Sequence, residues 1–437
     1  MSEPHREEME MMNRRLGRYI PAVVLASTLM TMNVDAQKIE QLVSGAPMPF
    51  SIEREAALHP LAIAPTADEA FIVVGSSSAT KQAWASKVSA QGKVIWTYLR
   101  DLQADDQPSA GGRLRLASPA FSGIVPMPNG EAYLCGHMPR SSALLPMSFL
   151  ARLDAKGKVL SERFLAPDQV DNVVSRYGLD NCTRWADGIA IVGHGEQLSN
   201  FDGKRYLNER SFFWVIMLDR EGNVRWQKQI PTITEKFNLV AEGVSLIPAQ
   251  SGLVFSATDN VDTEIVRLNT AGEVQAHRKI GGRYLVVHQA GADETVELFG
   301  STSPTSSSSY REVIVLNPGL AEVRRAQGKS PENFVPRVVY RSRDQSLVLF
   351  GSTVHLSGER LRSGAVFVNQ SLTAQRSLGF DQEGYFDSGS IWAAAPAKTP
   401  GEFIVARSLV KMDDHRKIGA IPPEFNRGAV LNFVRHN

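Results

Sequence analysis

One short pattern constrains this chain more than any other. A run of aliphatic, β-branched and aromatic residues ends on a glycine or another small residue, and it recurs. It reads Phe71-Ile72-Val73-Val74-Gly75, Ala132-Tyr133-Leu134-Cys135-Gly136 and Ile189-Ala190-Ile191-Val192-Gly193. Further copies are Leu253-Val254-Phe255-Ser256-Ala257, Val296-Glu297-Leu298-Phe299-Gly300, Leu347-Val348-Leu349-Phe350-Gly351 and Phe403-Ile404-Val405-Ala406-Arg407. The copies are unevenly spaced while the motif stays nearly constant. Such a pattern means loop insertions in one supersecondary unit of about 45 residues.

Each run is preceded by another short apolar stretch and a tight turn, as in Ile124-Val125-Pro126 before Pro128-Asn129-Gly130. Each is followed by a loop, a third apolar stretch and a second turn. That second hairpin is clearest at Arg152-Leu153-Asp154-Ala155-Lys156-Gly157-Lys158-Val159 and at Met217-Leu218-Asp219-Arg220-Glu221-Gly222-Asn223-Val224. Asp or Asn with Gly three residues later suits a type I turn followed by a left-handed position. Helical periodicity is nearly absent after residue 58. Four short strands per unit, repeated every 40 to 60 residues or so, is the period of a propeller.

The expected fold is therefore all-β: a seven-bladed β-propeller of four-stranded antiparallel blades. Its units start near residues 59, 116, 173, 239, 283, 335 and 389. The last unit shows only three strands before Asn437. The stretch Phe50-Ser51-Ile52-Glu53-Arg54-Glu55 supplies the missing outer strand, so an N-terminal strand closes the ring and removes an open edge. A pair of β-sandwiches is the competing architecture, but it leaves the repetition unexplained. Ile72, Val74, Leu134, Ile191, Val254, Leu298, Leu349 and Ile404 are the expected core.

The Leu-Asp-x-x-Gly-x-Val hairpin resembles the PQQ-like and delta-60-type propeller repeats of bacteria. Trp96 and Trp226 stand at the aromatic position those repeats often carry after the turn. The quinone-dependent dehydrogenases with this style of repeat typically carry adjacent cysteines at the cofactor, and this chain has none. The sialidase Ser-x-Asp-x-Gly-x-Thr-Trp box and a repeated Trp-Asp dipeptide are also missing. The resemblance is thus one of architecture, and it carries no active residue onto this chain.

The N-terminus bears on compartment. Asn13-Arg14-Arg15 and Arg18 form a basic stretch, Tyr19 to Met32 is mostly apolar, and Val34-Asp35-Ala36 offers small or apolar residues for a signal peptidase. The expected organisation is a signal peptide over 1–36, a linker over 37–49 and a propeller over 50–437, in a periplasmic or secreted protein. Glu3, Glu7, Glu8 and Glu10 oppose the usual charge of a signal, which favours Met11 or Met12 as the start. An N-terminal helix of the mature fold is the alternative. No later segment has 18 consecutive apolar residues, so no membrane span is expected in the mature chain.

Cys135 and Cys182 are the only two cysteines. They are expected to form one disulfide, or else to be two buried thiols. Lysine and arginine total 47 against 46 aspartates and glutamates, a balance that argues against a nucleic-acid partner.

In a four-stranded blade the two hairpin turns share one face, and the remaining connections share the other. Here the second class is long, including residues 100–117, 137–147, 194–210, 301–310, 352–363, 380–389 and 408–428, so binding is expected on that face. Arg115, Arg176, Arg283 and Arg337, with Glu242 and Asp387, recur where inner strands begin. Inward-pointing arginines would offer paired hydrogen bonds to a carboxylate or phosphate. His137 and His194 directly follow the terminal glycines of adjacent units, and His355 lies near a third. Histidines so placed could bind a ligand, hold a metal or act as acid and base. Solvated surface side chains and inter-blade ion pairs are the plain alternatives for all of these.

No Gly-rich phosphate loop, H-E-x-x-H or G-x-S-x-G pattern is present, and no cofactor or metal is implied. The expected function is non-catalytic binding of an envelope or secreted protein, or of a small anionic ligand, on the long-loop face. Two alternatives stay open. One is a hydrolase, lyase or oxidoreductase with its site at the channel mouth, and the other is an immunity-type neutraliser of a secreted toxin.

Overall fold

The computed structural model describes residues 48–50, 58–77, 82–100, 119–138, 147–167, 174–199, 207–234, 244–259, 262–281, 283–302, 310–329, 334–341, 346–353, 362–369, 371–372, 374–379, 385–387, 393–398, 401–411 and 427–435. The chain divides into two compact units, Met1–Gln41 and Leu42–Asn437. Everything below concerns the second. The expected signal peptide and all but the last two residues of the expected linker lie outside the described residues.

Six blades are four-stranded antiparallel sheets in which consecutive strands pair in chain order. Their inner strands are Leu58–Pro65, Ala120–Pro126, Val174–Trp185, Val244–Ala249, Arg283–Ala290 and Phe334–Arg341, for blades one to six. The expected seven four-stranded blades are thereby corrected to six. The remaining sheet is composite and five-stranded. Two short inner segments, Tyr385–Asp387 and Ala393–Pro396, both pair with Glu402–Lys411, which pairs with Arg427–Arg435. Met48–Phe50 pairs with the outer side of Arg427–Arg435, Met48 opposite Leu431. The N-terminal strand does close the ring, although its paired residues are 48–50 rather than 50–55. Inner strands touch their neighbours in order, and Ala393–Pro396 meets Leu58–Pro65 to complete the circle.

The apolar runs are the second strands of the blades, and their composition follows from burial on both faces. In blade one, Ile72 and Val74 point into the cluster shared with blade two, beside Phe121 and Leu134. Phe71 and Val73 point the other way, to Ala393 and Ile404 of the closing sheet. A strand with two buried faces reads as continuous hydrophobic sequence rather than as an alternation. All eight expected core residues, Ile72, Val74, Leu134, Ile191, Val254, Leu298, Leu349 and Ile404, are fully buried.

The hairpins lock neighbouring blades together. Gly157 and Gly272 adopt φ of 81° and 77°, the left-handed position that their turns require. An added Cβ on Gly157 would lie 2.6 Å from the Trp96 ring of the preceding blade, and one on Gly272 2.8 Å from Trp226. Each tryptophan therefore packs against a turn that only glycine leaves open. Tyr133 of blade two does similar work, donating its hydroxyl to the Arg220 carbonyl at 2.6 Å.

Candidate binding site in the central channel

The glycine that ends the recurring run has a structural cause in the strand beside it. Gly75, Gly136, Gly193 and Gly351 pair with the inner strands of blades one, two, three and six next to a register shift that leaves one extra residue. A Cβ on Gly136 would sit 1.9 Å from the Ala120 carbonyl oxygen and 2.8 Å from the Phe121 Cα. A Cβ on Gly75 would meet the His59 carbonyl oxygen at 1.9 Å, and one on Gly193 the Gly178 oxygen at 2.0 Å. Bulging the inner strand brings its backbone onto the place where a side chain would otherwise stand. Blade four supports this reading, because its run ends on Ala257 and its inner strand pairs without a shift.

A bulge re-aims the extra residue. The extra residues are Leu61, Ser122, Asp180 and Arg337, and in blade five the shift falls at His288. All five line a cavity of about 500 Å³ between the inner strands, which is the central channel. His137, Asn181, Cys182, Ser245 and Tyr340 also line it.

Several of these polar groups are committed to joining blades. Ser122 donates to the Leu179 carbonyl at 2.8 Å, and Asn181 Nδ2 to the Val244 carbonyl at 3.1 Å. Ser245 accepts from the Val287 amide at 2.7 Å. Tyr340 donates to the Ala394 carbonyl at 2.7 Å, and burial pushes its phenol far above the ordinary value.

Two charged constellations remain. Asp180 Oδ2 lies 2.7 Å from Nδ1 of His194, on the adjacent strand of blade three. The Asp180 side chain is nearly buried at 11% exposure, whereas His194 keeps 34%. In blade five, His288 Nε2 lies 2.9 Å from Glu297, which is also paired with Arg341 of blade six. Burial works to raise the Glu297 carboxyl, but His288 and Arg341 outweigh it and hold the group at about 2. This second constellation borders another cavity of about 350 Å³, between blades five and six, lined also by Arg324 and Arg325. Arg325 is bound there to Glu312 and Glu322, so that cleft is largely neutralised from within.

Of the expected site residues, Arg337 and His137 are on the channel wall, and His194 stands behind it on Asp180. Arg176 pairs in register with Glu196, Arg283 with Thr302, and Asp387 with Leu409. The side chains of these three lie outside the described residues, as do Arg115, Glu242 and His355 entirely. Most residues of the expected long loops lie outside them too, but 194–199 and 207–210, expected as loop, are extensions of two strands of blade three. Among the described residues, no group of three or more His, Cys, Asp or Glu side chains is placed to hold a metal. No helix among them is long and apolar enough to cross a membrane.

Sequence reasoning missed Ser122, Asp180 and His288. A signal for two of these three, Ser122 and Asp180, did exist. Leu61, Ser122 and Arg337 precede Gly75, Gly136 and Gly351 by one common interval, and Asp180 precedes Gly193 by one residue less.

The geometry defines a β-propeller whose channel wall mixes aliphatic side chains with a few polar and charged ones. Among solved structures, the chain is similar to the Dos1 propeller, at 8% identity and a TM-score of 0.43, over 88% of this chain and 95% of that one. It is similar to Drosophila Plexin A in complex with Semaphorin 1b at 10% identity and a TM-score of 0.45, over 89% and 87%. It is also similar to the dihydro-heme d1 dehydrogenase NirN in complex with DHE, at 11% and 0.38, over 74% and 66%. These likenesses are of fold and assign no residue and no activity. No family model matches the sequence, and no curated protein matches it.

Proposed function

We propose that this propeller is an exported binding protein that takes a small organic anion in its central channel. The observation that carries the reading is Arg337. A bulge turns it into a cavity of about 500 Å³, a volume suited to a small molecule. Guanidinium groups hold carboxylates and phosphates through paired, directional hydrogen bonds. Asp180, on the same wall, favours a ligand that carries a donor as well as an anionic group. Export is supported by the basic, apolar and small-residue succession over residues 13–36. The resemblance to PQQ-like repeats rests on the Asp-x-x-Gly hairpin and the Trp96 and Trp226 positions alone.

Calorimetry of the mature chain against small mono- and dicarboxylates, amino acids and phosphate monoesters tests this. Binding by at least one member is expected, with a tenfold or greater loss in Arg337→Ala, about 1.4 kcal/mol or more. A panel without a single binder, or an Arg337→Ala chain that binds every ligand as before, sinks the reading.

A second reading is favoured by one observation, the Asp180–His194 pair at 2.7 Å. A carboxylate that orients an imidazole is a general acid–base arrangement, which supports a channel-mouth hydrolase or lyase. It predicts that the bound ligand is chemically changed on incubation, and that His194→Gln stops the change while binding persists.

A further inference from the structure

We propose that Cys135 and Cys182 are a disulfide-forming pair that clasps blade two to blade three through the channel wall. Cys135 belongs to the second strand of blade two and Cys182 to the inner strand of blade three. Both are thiols in this structure, and both are buried. Gly123, on the inner strand of blade two, pairs in register with Cys135. A Cβ on Gly123 would lie 2.5 Å from Cys135 Sγ and 2.8 Å from Cys182 Sγ, so the two sulfurs flank one point. The absent side chain of Gly123 is thus the room in which two thiols from different blades meet.

The pair is asymmetric in a way that orders the chemistry. Cys182 lines the channel cavity, whereas Cys135 is fully buried behind it. Burial pushes the Cys135 thiol well above its ordinary value, and contact with Cys182 pushes it the same way. A raised thiol makes a poor first nucleophile. Cys182, the thiol on the cavity side, therefore attacks first, giving its proton to water, on one sulfur of a small organic disulfide that enters the channel. The other half of that reagent leaves as a thiolate, and Cys182 holds a mixed disulfide. Cys135 then gives up its proton to water and displaces the second thiolate. Two protein thiols become one S–S bond, and one organic disulfide becomes two thiols.

Asp180 is two residues before Cys182 on the same strand, so the bond fixes the bulged segment to blade two. The proposal does not depend on what the channel binds.

The test uses the full chain and oxidised glutathione. After incubation, unfolding and alkylation, the number of modifiable thiols is expected to fall from two to none, and dithiothreitol is expected to restore both. Peptide mapping without reductant is expected to show Cys135 linked to Cys182, and Cys135→Ser to retain a glutathione adduct on Cys182. Two modifiable thiols after oxidation, a persistent adduct on wild-type Cys182, or a bond between two copies of the chain would each overturn it. The wild-type thiol count decides the matter even if the variant fails to fold.

Discussion

A methyl group added at Gly136 has nowhere to go except against the Ala120 carbonyl and the Phe121 Cα. Gly136→Ala must therefore flatten the bulge that aims Ser122 at the channel. It is expected to lower stability by about 2–3 kcal/mol in urea unfolding, in the range of other overpacked sites. An unchanged urea midpoint would contradict the bulge. Glu297 gives a second prediction at this scale. Its folded value of about 2 lies below its ordinary 4.5, so its stabilisation is full above pH 4.5 and is lost as pH falls toward 2. The difference corresponds to roughly 3 kcal/mol. Glu297→Gln is expected to flatten the acid limb of the stability curve over that window, and also to lower stability at pH 7, where it strips Arg341 of its counter-charge. The glycines were plain in the sequence, but their cause was not. The backbone that needs the space belongs to another strand, reached only across a hydrogen-bonded pair. Asp180 was marked only by its distance from Gly193, one residue shorter than the interval in blades one, two and six, so its place as the extra residue shows only once its strand is paired.

At the scale of elements, runs and hairpins were the most legible part. A strand buried on both faces has to be apolar throughout, and a hairpin with a left-handed position favours Gly. Both demands are local, so Ile72, Leu134 and Gly157 could be placed without knowing the tertiary fold. What joins one blade to the next was less legible. Trp96 was visible as an aromatic after a turn, but its partner is Gly157, in the hairpin of the next unit. Trp96→Ala opens a gap between two blades and is expected to destabilise by about 3 kcal/mol. Thermal unfolding followed by intrinsic fluorescence measures it, and a shift no larger than that of an exposed substitution would show that the contact contributes little. The inner-strand arginines were read as one class; Arg337, on which a register shift falls, lines the cavity, while the side chains of Arg115, Arg176 and Arg283 lie outside the described residues.

For the whole molecule, the missing strand of the last unit pointed correctly to closure by the N-terminus. The count of four-stranded blades did not hold, because the inner strand of the closing sheet is split into Tyr385–Asp387 and Ala393–Pro396. The split lies beside Arg407, which ends the only copy of the run to finish on a large side chain, and Arg407 is 1% exposed. Removing residues 1–50 takes away the strand that covers Arg427–Arg435. It is expected to lower the melting midpoint and leave an unpaired edge that promotes self-association, which sedimentation would detect. A chain that stayed monomeric with an unaltered midpoint would show that closure is dispensable. The pairing of Met48 with Leu431 also has a consequence in time. These partners are separated by the strands of every blade, so their contact becomes available only after all of those strands have been made. Until residues 427–435 emerge, the blades can form one by one from local hairpins, but the ring stays open at one seam. Completion is then a long-range docking step, slower than any hairpin, and during that interval a second emerging copy can offer its own C-terminal strand to the same seam.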